Sequence, residues 1–502
     1  MMGEQKRIEN YFSTLKGRRT FSTLLFLIVF GYILFRMVRT GSMILISGDA
    51  ADIWKTIKTY YTDDVYGSYV LYKGLLSIYP YVWLYKLAQL LHTNEFFFCM
   101  CYHSLLFAYV SVIAIPSFVK VLTGHTAKCW QRLLLVVALI WSWDRYCVLS
   151  ELMVDLPSCA LFFAAIQCIT KVSVVEGWKK YPTIVVAGLL IGSCASISGQ
   201  YSLSAVCLTI YFILILWKTV RLMRPDMMSR FIRFVAILCM FSIAVAVPYL
   251  LNAAFTRSFV DRLREEGAWI PSGSTWMERA LVYMLNKCRS LYGYIYGYTL
   301  EDDRGLAILM DYYGPEAKEE IWEAAANGFF GWTIPEYFNV FFRYPVDFIM
   351  LYINRFMVIL SDDGGRFSLG ILLISYTVEY LALLTMCKYM KTYRNLFCAN
   401  TMLVLAVLAS LIPCLVMSIE MRTCISFYGL VYGVALAGPI LPDSILSVQE
   451  SIKGIGKSVS DKGKPVSWPI IGWVFFCLFG LAYFGLLGAA SELQTGILYH
   501  LF

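Results

Sequence analysis

What most constrains this chain is a series of long apolar runs, separated by short connections that carry most of its lysine and arginine. A membrane-crossing helix needs about 20 mostly apolar residues, because the bilayer core offers no water to an open backbone. Runs of this kind lie at 21–38, 95–118, 133–149, 157–171, 183–197, 201–219, 232–252, 367–387, 397–417, 424–441 and 469–489. They predict an all-α polytopic membrane protein with about eleven transmembrane helices. Composition points the same way: of 502 residues 59% are hydrophobic and 15% charged, and mean hydropathy is +0.64. A soluble domain is roughly 45–50% apolar and about 25% charged.

Orientation turns on residues 69–91, an apolar stretch interrupted by Lys73, Pro80 and Lys86 and rich in tyrosine. Such a segment suits the membrane interface. If it does not cross, every strongly basic connection falls on one side. These are the head at 1–20, then 119–132, 171–181, 218–233, 388–396 and 442–467. By the positive-inside rule that side is the cytoplasm. The expected layout is then a cytoplasmic basic N-terminus (1–20), an N-terminal membrane module (21–252) with a first external loop at 39–94, a large external loop (253–366), and a C-terminal module (367–502) with a cytoplasmic linker at 442–467. The first external loop should hold juxtamembrane helices. The large loop should be helical. Thr275-Trp-Met-Glu278 reads as a capping box, and Pro315 with Glu316, Glu319 and Glu320 reads as a helix start. Residues 346–361 read as a further interfacial helix broken by Asn354 and Arg355.

The net charge of +8 is dispersed over loops and predicts no nucleic-acid partner. Fifteen cysteines lie mostly inside apolar runs, and the large loop holds Cys288 alone, which leaves no disulfide framework there. Four histidines make a His-rich metal site an unpromising reading. There is no Asn-x-Ser/Thr sequon, and the expected location is the plasma membrane of a bacterium, multi-pass, with the N-terminus inside.

Acids on the predicted outer side are few. Asp49 and Asp52 follow the first run, and Asp155 sits in the turn before 157–171. Carboxylates converging at the outer leaflet suit a general base that takes a proton from an acceptor hydroxyl. Two of them could also share a divalent cation that screens a phosphate leaving group. Each one alone is as readily a solvated loop acid or a helix cap. The order of these features resembles the GT-C superfamily of membrane glycosyltransferases, in the branch of protein O-mannosyltransferases and bacterial lipid-linked sugar transferases. In that branch an Asp follows the first span, matched by Asp49. A Lys-Pro segment opens a juxtamembrane helix, matched by Lys73, although Gly74 replaces the proline. A second acid follows the third span, matched by Asp155. A late Glu-Arg pair is approached by Glu420-Met-Arg422, with one residue inserted. The likeness covers about the first 220 residues, and the rest by architecture.

The resemblance implies a polyprenyl-phosphate sugar donor, a glycan, lipid or protein acceptor, and transfer on the outer face. Asp49 would be the base, with Asp155 orienting the acceptor or helping to hold a cation (Mg or Mn). Lys73, Arg422, Asp52 and Glu420 would form the region that receives substrate and lipid phosphate. Arg257, Arg262 and Arg264 compete for the phosphate role. Snorkelling and surface positivity are the plainer reading of each cation. Outer aromatics such as Trp54, Tyr60, Tyr61, Tyr66, Trp269 and Trp276 suit sugar stacking or interfacial anchoring. Asp144, Arg145 and Glu379 lie inside apolar runs, where a structural ion pair is the default for the first two. Two other classes stay open. A polysaccharide polymerase or ligase would use the loop arginines, Arg289 included. A transporter or flippase for a lipid-linked glycan would need broken helices and mid-membrane charges.

Overall fold

The computed structural model describes residues 15–41, 43, 48–63, 75–145, 147–175, 177–223, 227–255, 341–343, 345–361, 369–389, 399–412, 415, 421–442 and 468–486. Every regular element among them is a helix. The chain divides into two compact units. Unit 1 holds Met1–Val121, Trp143–Leu291 and Tyr393–Leu411, and unit 2 holds Leu122–Ser142, Tyr292–Thr392 and Ile412–Phe502.

Unit 1 opens with α1 (Leu15–Thr40), α2 (Gly48–Asp63) and α3 (Leu75–Leu90). Gly41 closes α1 in a left-handed conformation (φ 74°), and its N–H bonds back to Val38 O at 3.1 Å. α3 has 16 residues and so is about 24 Å long, short of a bilayer crossing. α4 (Phe97–Thr123) carries a π-helical turn at Val110–Ala114, just before Pro116. A widened turn there relieves the proline's demand on the backbone. α5 (Cys129–Arg145) contributes its last residues to unit 1. Then come α6 (Asp155–Val172), α7 (Lys180–Ile197, entered through a 3-10 turn at Gly177–Lys179), α8 (Ser202–Met223), α9 (Met227–Phe255) and, much later in the chain, α12 (Ala399–Ala409).

α7 is the centre of unit 1, packed against both α6 and α9. Its contact with α9 is made by glycine. A Cβ at Gly188 would stand 2.7 Å from the Ala244 Cβ and 2.9 Å from the Phe241 carbonyl, and one at Gly192 would collide with the Val245 carbonyl. Between membrane helices such a small-xxx-small pair lets backbones close in where lipid supplies no hydrophobic drive. Phe212 of α8 stacks on Phe241 of α9, centroids 3.9 Å apart. α1, by contrast, has only 22% of its apolar window buried.

The two ends of unit 1 are distinct. At one end Asn94 Nδ2 donates to Gly41 O (3.0 Å), Arg36 pairs with Asp144 (2.9 Å), and α6 begins at Asp155. At the other, Asn400 Nδ2 donates to Val121 O (3.3 Å), α6 ends beyond Lys171, and Arg233 Nη2 donates to Tyr181 (3.2 Å).

In unit 2, α11 (Leu369–Tyr389) packs against α10 (Pro345–Ser361), α14 (Trp468–Leu486) and α13 (Ile425–Leu436), every residue of which is buried, and Tyr428 of α13 donates to Ile359 O of α10 at 2.9 Å. Gln131 of α5 ties down the end of α13, because its Nε2 donates to Leu436 O (3.1 Å) and Gly438 O (2.7 Å). On α14, Gly472 and Gly480 make room for Tyr380 and Tyr376 of α11.

Among the described residues, eight helices are long and apolar enough to cross a membrane: Arg19–Thr40, Phe97–Thr123, Asp155–Val172, Gly177–Ile197, Gly199–Val220, Met227–Leu251, Leu369–Lys388 and Arg422–Pro442. The chain is therefore an all-helical protein of the lipid bilayer. The runs at 133–149, 397–417 and 469–489 hold α5, α12 and α14, the last two of which contribute the shorter apolar stretches Asn400–Ala409 and Ile471–Ala482. Within the large loop, the region around 346–361 is the single helix α10. The capping box at Thr275 and the helix start at Pro315 lie outside the described residues.

Candidate functional site

A buried irregular segment joins α5 to α6. Residues 147–154 form no helix, yet Val148, Leu149, Glu151, Leu152, Met153 and Val154 are buried. A buried irregular segment has to satisfy its own backbone. Here the N–H of Cys147, in a left-handed conformation (φ 54°), donates to Asp144 O at 3.2 Å, Glu151 N–H to Cys147 O at 2.8 Å, and Met153 N–H to Glu151 O at 3.0 Å. A cysteine held at positive φ is strained unless its surroundings over-determine it, and this network does so.

Tyr81 of α3 reaches into the segment. Its hydroxyl donates to Met153 O at 2.8 Å, and Nε2 of His103, on α4, lies 2.8 Å from the same hydroxyl oxygen. A phenol has one proton and a carbonyl only accepts, so the imidazole must be the second donor. In its neutral form His103 therefore carries its proton on Nε2. Its Nδ1 is then the acceptor, on a fully buried ring that also lies against the Leu149 backbone.

Two carboxylates flank this bond. Glu151 and Asp155 are each 5% exposed, on either side of Met153. Asp155 is the first residue of α6, where a carboxylate meets the positive end of the helix dipole. Pro157 follows in the first turn, where no N–H is needed. Ser158 Oγ donates to Val154 O (2.7 Å), and Cys194 of α7 donates to Ser158 O (3.3 Å), fixing the start of α6. The arrangement thus holds two buried carboxyls, a phenol and an imidazole at the Asp155 end of unit 1, a set suited to moving protons.

Asp49 and Asp52 are in the first turns of α2, and their side chains lie outside the described residues. α2 is seated by Trp54, which stacks on Phe96 at 4.2 Å, meets Tyr85 of α3 edge-on at 5.5 Å, and is 8% exposed. That tryptophan is committed to packing rather than to an open sugar-stacking face. Lys58 also pairs with Glu95 at 3.1 Å. Both α2 and the 147–155 segment therefore rest on α3, the former through Tyr85 and the latter through Tyr81. Lys73, Glu420, Arg257, Arg262, Arg264, Arg289, Tyr66, Trp269 and Trp276, together with the side chains of Tyr60 and Tyr61, lie outside the described residues. Arg422, in unit 2, is in the 3-10 turn that leads into α13 and is partly exposed.

Tyr81, His103 and Glu151 escaped the sequence reading. The one available signal was ionisable character inside an apolar run, as at His103. Asp144 does pair, with Arg36 of α1, and the side chain of Arg145 lies outside the described residues. Glu379, on α11, is 8% exposed. Arg355, on α10, is fully buried and donates to Leu415 O at 2.9 Å.

Among the described residues no three His, Cys, Asp or Glu side chains gather closely enough to hold a metal ion. A cavity lined by Phe162, Ala165, Ile191, Cys194, Tyr201 and Leu208 is apolar and too tight for a water molecule, so it is no substrate site. No family model matches the chain, and neither a curated protein nor a solved structure matches it.

Proposed function

We propose that the protein is a membrane glycosyltransferase of the GT-C kind. It moves a sugar from a polyprenyl-phosphate donor to a cell-envelope acceptor (a glycan, lipid or protein) on the outer face of a bacterial plasma membrane. The observation that carries the reading is the burial of Asp155 at the start of a membrane-length helix, beside Glu151 and the Tyr81–His103 pair, at the end of unit 1 away from Lys171 and Lys180. Basic turns at the other end favour the cytoplasm there. In this reading about eleven helices cross, with α5, α12 and α14 completing the count and α3 lying at the interface.

Asp49 takes the proton of the acceptor hydroxyl. The acceptor oxygen forms a bond to the anomeric carbon, inverting it, as the bond from that carbon to the phosphate oxygen breaks. The electron pair leaves with the polyprenyl phosphate, whose charge Lys73 meets. Asp155 orients the acceptor. The described donors do not fit a cation site, and no step here uses one.

The test reconstitutes the full chain in nanodiscs with candidate polyprenyl-phosphate sugars and follows labelled-sugar transfer. Asp49→Asn and Asp155→Asn should each lower turnover by at least about 100-fold, with unchanged expression and unfolding temperature. Wild-type turnover in Asp49→Asn refutes the catalytic assignment. A second reading, a transporter for a lipid-linked glycan, is favoured by unit 2. There buried Arg355 donates to the Leu415 carbonyl, and buried Glu379 lies within a membrane-length helix. It predicts movement of the intact donor across the bilayer without sugar release.

A further inference from the structure

At the end of unit 1 opposite Asp155, two cations share a small space with no acid among the described residues to match them. Lys180, the first residue of α7, is 5% exposed. A snorkelling lysine keeps its ammonium in water, and this residue does not stand out into it. It makes no ion pair or hydrogen bond to any described carboxylate or carbonyl. The charge that acts on it is the guanidinium of Arg233 on α9, a like charge. Arg233 is itself half-buried and held by its 3.2 Å hydrogen bond to Tyr181. No side chain caps the start of α7, so the positive end of its dipole adds to the same field.

The two cations cannot drift apart. Gly188 and Gly192 lock α7 against α9 two to three turns further on, and the bond from Arg233 to Tyr181 holds the guanidinium beside the first turn of α7. Like charges held close together repel unless an anion sits between them. The surroundings resemble a lipid boundary. Trp178, Phe231 and Ile232 are 74%, 58% and 57% exposed at this end, a setting for acyl chains beside a head group.

We propose that Lys180 and Arg233 form a binding site for a phosphate-bearing anion, either the head group of an anionic phospholipid or free phosphate. The site is separate from the transfer chemistry proposed above and stands whether or not that chemistry does. The lysine supplies a point charge, and the arginine supplies a planar pair of donors beside the Tyr181 hydroxyl.

Full-length protein is placed in nanodiscs of phosphatidylcholine, with phosphatidylglycerol in one arm and inorganic phosphate in another. Thermal unfolding is followed, and retained lipid is counted by native mass spectrometry. Phosphatidylglycerol should raise the unfolding temperature and remain as a one-to-one adduct, whereas a response to inorganic phosphate instead assigns the free ion. Lys180→Met and Arg233→Gln should each lower retention, or the response to phosphate, at least about tenfold. In phosphatidylcholine alone Lys180→Met should unfold no lower than wild type, because it removes a repelled buried charge. Equal retention in wild type and both variants overturns the proposal, as does the absence of any response to either anion. Glu176, next to Gly177, and Asp226, next to Met227, lie outside the described residues and supply the remaining controls. If Lys180→Met and either Glu176→Gln or Asp226→Asn lower the unfolding temperature in phosphatidylcholine, the chain provides its own anion and the proposal falls.

Discussion

At the residue scale, the hydroxyl of Tyr81 holds three chain segments together. It donates to the Met153 carbonyl from α3 and accepts from His103 on α4, with all the bonded groups buried. Tyr81→Phe keeps the ring but leaves a carbonyl and an N–H buried without a partner. It should lower stability by about 1–3 kcal/mol, read as a fall in unfolding temperature in detergent. In the transferase reading it should also lower turnover, by loosening the backbone next to Asp155. The Arg36–Asp144 pair behaves differently. Its side chains are 41% and 35% exposed, so the pair sets position more than it adds stability, at most about 1 kcal/mol.

At the scale of elements, the pairing of α7 with α9 depends on two missing side chains. Their approach at Gly188 and Gly192 leaves no space for a Cβ, and at Gly192 the obstacle is backbone that cannot rotate away. Gly192→Leu should therefore disrupt the pair and cost at least about 3 kcal/mol, seen as lost expression or an unfolding temperature well below wild type. Gly31→Leu is the matched control. It lies on α1, where a Cβ would meet nothing within 4 Å, and it should unfold as wild type does. Gly31 and Gly192 are alike as letters in apolar runs, and the neighbouring helix makes them unlike.

At the scale of the whole molecule, orientation follows from which connections share an end. In unit 1, Asn400 with Val121 and Tyr181 with Arg233 mark the end rich in lysine and arginine, and Asn94 with Gly41 marks the other. Alkaline phosphatase fused within 253–366 should be active, and fused within 442–467 inactive, if the basic end is cytoplasmic. The reverse pattern would invert the topology and place Asp155 on the cytoplasmic side, which removes the case for transfer on the outer face.

Hydropathy and helical length are properties of consecutive residues, so the sequence by itself determined that this is a helical membrane protein. It located the eight helices of membrane length, and it read 69–91 as a juxtamembrane stretch, of which Leu75–Leu90 is one 16-residue helix. It placed Asp155 in the turn before 157–171, and the structure makes it the first residue of α6. Tertiary structure alone decided which side chains meet. Tyr81, His103 and Met153 are scattered over 72 residues of chain, Arg36 and Asp144 over 108, and Lys180 faces Arg233 across two helices. No local pattern encodes such meetings, because each depends on how helices distant in sequence pack, and that depends on where glycine lets backbones touch.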